Sequence, residues 1–241
     1  MRFHAICRNA ALAGLLAGAA VATPTVEVAD AVARIDYGYY SGDPRIVEAA
    51  VSSLERLAEG DALARYFEAL GAFRLAELAT AEGRDPRPWL DRCMQAASRS
   101  ELPGAAGAEA LVLSAACAAR AARAEPVRAV LHQRRAQAAL QRAAALDPKN
   151  PRLALVEAER LLAEAGREAD AVARLEAALP EFAARTDGPQ WGEAEALVTL
   201  AERRHATGDA RQARDLLDRA LLVAPEYRAA LELRARVLAG R

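Results

Sequence analysis

Small and large apolar residues alternate at a helical spacing along the C-terminal half of the chain. Ala213, Leu217 and Ala220 lie four and three residues apart, which places them on one face of a helix that ends near Pro225. Gly208 marks the turn before this helix, and another apolar helical stretch precedes the turn. The pattern predicts a helical hairpin whose second helix packs through small side chains.

The same pattern occurs twice more upstream. The two earlier copies are Ala136, Leu140 and Ala143, followed by Pro148, and Ala171, Leu175 and Ala178, preceded by Gly166. All three positions shift together, by 35 residues from the first copy to the second and by 42 from the second to the third. A common shift indicates copies of one structural unit, with a longer connection at 180–190.

This hairpin resembles the tetratricopeptide repeat (TPR), a unit of about 34 residues. The resemblance extends from about Pro126 onward. It departs from the family at Arg204, where an aromatic residue is usual. The resemblance implies an all-α fold, an α-solenoid of stacked helical hairpins in a TPR-like superhelix with a C-terminal capping helix. Ordinary helical bundles also show this alternation, but three aligned copies favour repeats.

The sequence predicts three segments. We expect residues 1–22 to be a signal peptide and 104–241 to form TPR-like repeats with the capping helix. Residues 23–103 are expected to form degenerate N-terminal helical hairpins, the alternative being a different helical arrangement. The last two segments are expected to make one continuous solenoid over 26–241, with ten helices in five hairpins and one extra helix.

The first 22 residues have the features of a bacterial export signal. Arg2 and Arg8 precede an uncharged apolar run at 10–21, and Ala22 ends a group of small residues suited to cleavage. The run is shorter than the roughly 20 residues that span a bilayer. We therefore expect a periplasmic or secreted protein with no stable membrane span after cleavage.

Charge and cysteine content narrow the picture further. Removing Arg2 and Arg8 from the 32 basic residues leaves 30 against 33 acidic residues, a formal charge of −3, which argues against a nucleic-acid-binding role. Cys93 and Cys117 remain in the mature chain. In an oxidising compartment they are compatible either with a disulfide or with two separate buried thiols.

The sequence contains no catalytic constellation, and it predicts no cofactor and no metal site. His132 and His205 have no second metal ligand at a suitable spacing. Gly104 and Gly107 lack the lysine and the preceding strand that a phosphate-binding loop requires. A non-enzymatic protein is expected.

Two clusters of polar or aromatic residues have two interpretations each. Six arginines occur where acids are sparse and are either solvated, which we favour, or a patch for an acidic partner: Arg120, Arg123, Arg128, Arg134, Arg135 and Arg142. Tyr37, Tyr39 and Tyr40 either pack onto the first hairpin, which we favour, or form an exposed contact cluster.

The resemblance to TPR proteins also implies a binding site. In that family the partner often lies in a concave groove lined by the first helix of each hairpin. The matching positions here are Val156, Glu157, Arg160, Glu195, Val198, Thr199, Glu202, His205, Glu232 and Arg236. The expected function is a protein-binding adaptor or scaffold of the bacterial envelope that holds a protein or peptide. The alternatives are an accessory domain that supports an envelope enzyme or binds a small ligand, and a structural protein that forms homo-oligomers.

We predict that the mature protein begins at or near Thr23, because Ala20, Val21 and Ala22 are the small residues that signal peptidase requires. Mass spectrometry of the protein recovered from the envelope fraction is the measurement. An intact Met1 terminus in a membrane pellet would contradict both the cleavage and the soluble location.

Overall fold

A computed structural model describes residues 24–185 and 190–240, and within these ranges the chain forms eleven α-helices, one 3₁₀ turn and no strand. The predicted signal peptide and the cleavage site at Thr23 lie outside the described residues. The helices are α1 (Val26–Ser41), α2 (Pro44–Leu57), α3 (Ala62–Ala81), α4 (Arg87–Ser98), α5 (Gly104–Ala124), α6 (Ala129–Leu146), α7 (Pro151–Leu162), α8 (Glu168–Ala184), α9 (Glu193–Ala206), α10 (Ala210–Val223) and α11 (Arg228–Leu238).

Side-chain caps fix the start of several helices. The carboxylate of Asp43 accepts a hydrogen bond from the backbone N–H of Arg45, and the side chain of Asn150 does the same for Arg152. Proline occupies the first turn of both helices, where its missing N–H leaves no bond unmade. The Asp43-Pro44 and Asn150-Pro151 pairs are sequence signals for a helix start, and both helices begin at these pairs.

Proline sets the boundaries at both ends of α5. The helix begins at Gly104, directly after Pro103. Pro126 opens a separate 3₁₀ turn ahead of α6, and Glu125 before it has a non-helical backbone conformation. The residue before a proline avoids the helical conformation, so the chain cannot continue directly from one helix into the next.

The helices pack as hairpins in two layers. Each odd-numbered helix from α1 to α9 pairs with the even-numbered helix that follows it, and odd-numbered helices also contact one another, as in α1–α3, α3–α5, α5–α7 and α9–α11. The odd-numbered helices form the inner layer and the others the outer layer. All nine residues of the three repeated small-large-small copies are buried. The predicted stack of hairpins is confirmed.

The stack curls until its two ends meet. Helix α11 packs on α9 and α10, as expected of a capping helix, and it also contacts α1. One hydrophobic cluster consequently extends from Val28 in α1 to Val237 in α11. The division of the chain at residue 103 stays a prediction.

Helix α5 lies at the centre of this arrangement. Cys117 of α5 forms a disulfide with Cys93 of α4, with their Cα atoms 6.3 Å apart, so the two cysteines are paired. By length and composition α5 could cross a bilayer, but 67% of its apolar window is buried inside the stack, as in the core helix of a folded domain.

Enlarging a small residue of the repeated pattern should destabilise the protein. Ala213 and Ala220 have no exposed surface, so Ala213→Leu and Ala220→Leu are each expected to lower the free energy of unfolding by about 1–3 kcal/mol through overpacking. Thermal or denaturant unfolding measures the change. Arg211→Leu, on the exposed side of the same helix, is the control, and equal melting temperatures for all three variants would contradict the hairpin register.

Candidate functional site

A buried arginine occupies the centre of the inner layer. Only 1% of Arg74 in α3 is exposed. Its Nη1 donates to the Oε2 of Glu77 at 2.8 Å, and its Nη2 donates to the Oε1 of Glu195 in α9. Its guanidinium carbon lies 3.8 Å from the centre of the Tyr39 ring of α1. One side chain therefore joins α1, α3 and α9.

The tyrosine cluster divides between the interior and the surface. Tyr39 and Tyr227, at the start of α11, have their hydroxyl oxygens 3.5 Å apart, and the Tyr40 ring packs edge-on against Tyr227. Burial raises the pKa of Tyr39 and of Tyr40, so both hydroxyls stay protonated. Tyr37, by contrast, is 54% exposed. Packing was the favoured interpretation, but the contacts that close the stack come from α11 rather than from the first hairpin.

A second buried network surrounds Trp191, just before α9. Its indole N–H donates to the hydroxyl of Tyr66 in α3 at 2.8 Å, and its carbonyl accepts from the Nε of Arg152 at 2.7 Å. Arg152 also donates to the carboxylate of Glu109 in α5, which accepts a further bond from Asn150. Burial raises the pKa of Glu109, and the charge of Arg152 opposes that rise. This network and the Arg74 contacts connect opposite sides of the inner layer.

The exposed part of the inner layer begins toward the C-terminal ends of its helices. Arg120 of α5 donates to Glu77 of α3 at 2.8 Å and to Glu159 of α7 at 3.0 Å. We call Glu77, Arg120 and Glu159 the charged ladder. Its three side chains are half-buried and pair with one another across three neighbouring inner helices.

Three of the predicted groove residues do not line an open groove. Glu195, Val156 and Val198 are buried, and Glu195 accepts a hydrogen bond from Arg74 of α3. Placing them on an exposed concave surface was wrong. The other seven positions have exposed or half-exposed side chains: Glu157, Arg160, Thr199, Glu202, His205, Glu232 and Arg236. Their role in binding stays a prediction.

Several of the seven open positions form ion pairs at the surface of the chain. Glu157 pairs with Arg174 of α8, Arg160 with Glu164, and Glu232 with Arg228. Exposed pairs of this kind contribute little to stability, so a partner could replace them without a large penalty.

Sequence reasoning overlooked Arg74, the residue at the centre of the site. It is the one charge in the run 69–76, whose other members are Ala, Leu, Gly and Phe. A lone arginine in such a run on a predicted helix implies a buried partner, because an unpaired charge is very unfavourable inside a protein. That signal was present, although it does not reveal that the partner lies 121 residues away.

The described residues contain no group of three or more His, Cys, Asp or Glu side chains that could hold a metal ion. One carboxyl has an unusual environment. Burial raises the pKa of Asp36 in α1 to about 6, with the charge of Arg74 opposing the rise and that of Glu195 adding to it.

Comparison with known proteins identifies the fold. The chain is similar to the crystal structure of a thermophilic TPR protein from Thermus thermophilus, with a TM-score of 0.54 and 20% sequence identity over 88% of this chain and 98% of that one. The TPR-like fold predicted from the repeats is therefore confirmed. No protein-family model and no curated protein sequence matches the chain.

Removing the central arginine should unfold the protein more readily than removing a surface one. Arg74→Leu leaves Glu195 as a buried carboxylate without its main counter-ion, which is expected to lower the free energy of unfolding by about 3–5 kcal/mol. Adding Glu195→Gln removes this unpaired buried charge and should recover part of the lost free energy of unfolding. Chemical denaturation measures both.

The matched control is Arg84→Leu, which breaks an exposed pair with Glu82 and should change the free energy of unfolding by less than about 1 kcal/mol. Equal effects of Arg74→Leu and Arg84→Leu would show that the central contact does not hold the inner layer together.

The raised pKa of Asp36 predicts a pH dependence of stability. Because the folded-state pKa of about 6 lies above the usual 3.8, the contribution of Asp36 is fully present below about pH 4 and is lost as the pH rises through 6. The melting temperature of Asp36→Asn, relative to that of the wild type, should therefore rise from pH 4 to pH 7. A difference that stays constant over this range would contradict the buried placement of Asp36.

Proposed function

We propose that this protein is a non-enzymatic adaptor of the bacterial envelope that binds a protein or peptide partner. The observation that carries the proposal is the stack of TPR-like hairpins, a fold whose extended surface commonly serves protein binding. The charged ladder and the open groove positions supply polar groups of both signs for such a contact.

Two features support export. The N-terminal segment has the composition of a signal peptide. The disulfide between Cys93 and Cys117 suits the oxidising compartments in which such bonds form and persist. We infer a periplasmic or secreted location from both together.

Because the inner layer is closed, the proposed binding surface differs from the deep groove that the sequence predicts. The first halves of α7 and α9 are sealed at Val156 and Val198, so a partner would contact the later turns of these helices. Glu157 and Glu202 are the acidic groove positions that remain open on these turns.

Affinity capture from the envelope fraction, with chemical cross-linking, tests the proposal. We expect one protein to co-purify with the wild type. Glu157→Arg combined with Glu202→Arg should abolish its capture, because the reversed charges repel a partner that had faced acids. Melting should change little, since these are surface positions.

Asp218→Arg is the matched control. Asp218 is exposed on the outer helix α10 and is not one of the predicted groove positions. It pairs with Arg234, as Glu157 pairs with Arg174, so its reversal breaks an equivalent exposed ion pair. Capture should survive it. Recovery of a bound metabolite without a protein, or of further copies of this chain alone, would overturn the adaptor function.

A further inference from the structure

A cleft on the other side of the stack is a second candidate surface. Helices α4 and α6 both pack against α5, and a cleft of about 580 Å³ lies between them over α5. Its volume is in the range of pockets that bind ligands or peptide side chains. The cleft is separate from the charged ladder and from the open groove positions.

The floor of this cleft is formed by α5 and consists mostly of small side chains. Gly107, Ala110, Ser114 and Ala118 follow one another at intervals of three or four residues, with Leu111 as the one large side chain among them. The four small residues cover roughly 16 Å along the helix. Small side chains let another helix approach closely, at the shorter end of helix-packing distances. A floor of this length, lined by small side chains, can contact about three turns of a docked helix.

One wall of the cleft is positively charged. Helix α6 contains three arginines and no acidic residue. Two of them, Arg135 and Arg142, line the cleft, together with a single acid, Glu101. In the part of the chain that the structure describes, neither arginine forms an ion pair with a carboxylate.

The structure thereby divides the arginine cluster noticed in the sequence. Arg120 and Arg123 reach toward Glu159, and Arg128 toward Glu125. The arginines of the cleft wall keep their charge available to a partner. They lie seven residues apart, about two helical turns, which places them on the same side of α6.

We propose that this cleft binds an amphipathic helix of a protein partner, with its apolar face on the α5 floor and acidic side chains two turns apart facing Arg135 and Arg142. The inference rests on the proposed adaptor function and adds to it a second contact surface and the chemistry of the segment that would occupy it.

Charge complementarity selects this occupant over two others. The N-terminal segment 1–22 has two arginines and no acid, so it would meet the basic wall with like charge. A second copy of the chain that docked by the same face would bring two further arginines and only one acid, Glu101, to the cleft, because α6 contains no acid. An acidic helix avoids both conflicts.

Binding of synthetic peptides tests the inference directly. The probe is a fluorescent, helix-forming peptide of about 16 residues with a Leu/Ala face and glutamates seven residues apart. A companion peptide has glutamine in their place. By fluorescence anisotropy, the acidic peptide should bind the purified protein at least about ten-fold more tightly than the glutamine peptide, and added salt should reduce the difference.

Two variants locate the binding. R135E combined with R142E should weaken the acidic peptide at least about ten-fold. A138W places a large ring at an exposed position of the cleft wall and should block both peptides. R211E combined with R219E is the matched control, since these arginines are also exposed on an outer helix and their reversal should leave binding unchanged.

Several results would overturn the inference. The first is an equal affinity of the wild type for the two peptides. The second is an equal loss of peptide affinity in the cleft variants and in the control variant. The third is a wild-type dimer that dissociates when R135E and R142E are introduced together. If a partner captured from the envelope binds the wild type and both cleft variants equally well, that result would also overturn the inference, while the adaptor function would stand. If the cleft binds the acidic peptide but the protein captures no partner from the envelope, the cleft inference stands and the adaptor function is contradicted.

Discussion

The structure depends on the contacts of one buried guanidinium group. Arg74 is enclosed by the inner layer, where an unpaired charge would be strongly destabilising. Its partners are Glu77 on its own helix, Glu195 on α9 and the face of the Tyr39 ring on α1. Satisfying this single group requires three helices that are far apart in sequence to meet.

That requirement changes how the fold presents its surface. In an open stack of hairpins the inner helices line a groove, whereas here much of their inner face packs together as core. Trp191 and Tyr66 complete the closure on one side, and Tyr39 and Tyr227 on the other. For the proposed binding function, the surfaces left open are the ends of the inner helices and the outer clefts. A function assigned from fold similarity alone would place the partner where Glu195 and Arg74 already fill the space.

The hairpins were predictable because their determinants are local. The small-large-small spacing in α6, α8 and α10 follows from helix geometry, and the Asp-Pro and Asn-Pro caps mark helix starts within a few residues. The closure was not predictable in the same way. Arg74 and Glu195 are 121 residues apart, and no periodic pattern specifies how far a superhelix curls. The groove prediction failed at Glu195, Val156 and Val198 for this reason, because it assumed the open curvature usual in the family.

The most direct test of this account is whether α1 and α11 meet in solution. Tyr37 and Glu226 are both exposed and line one cleft at the junction of the two ends. Cys93 and Cys117 are bonded to each other, and a protein prepared from Thr23 onward lacks Cys7. Spin labels then attach only to cysteines introduced at positions 37 and 226. The closed stack predicts strong dipolar broadening between the labels in the electron paramagnetic resonance spectrum. Spectra without such broadening in the folded protein would show an open superhelix and contradict the sealed inner layer.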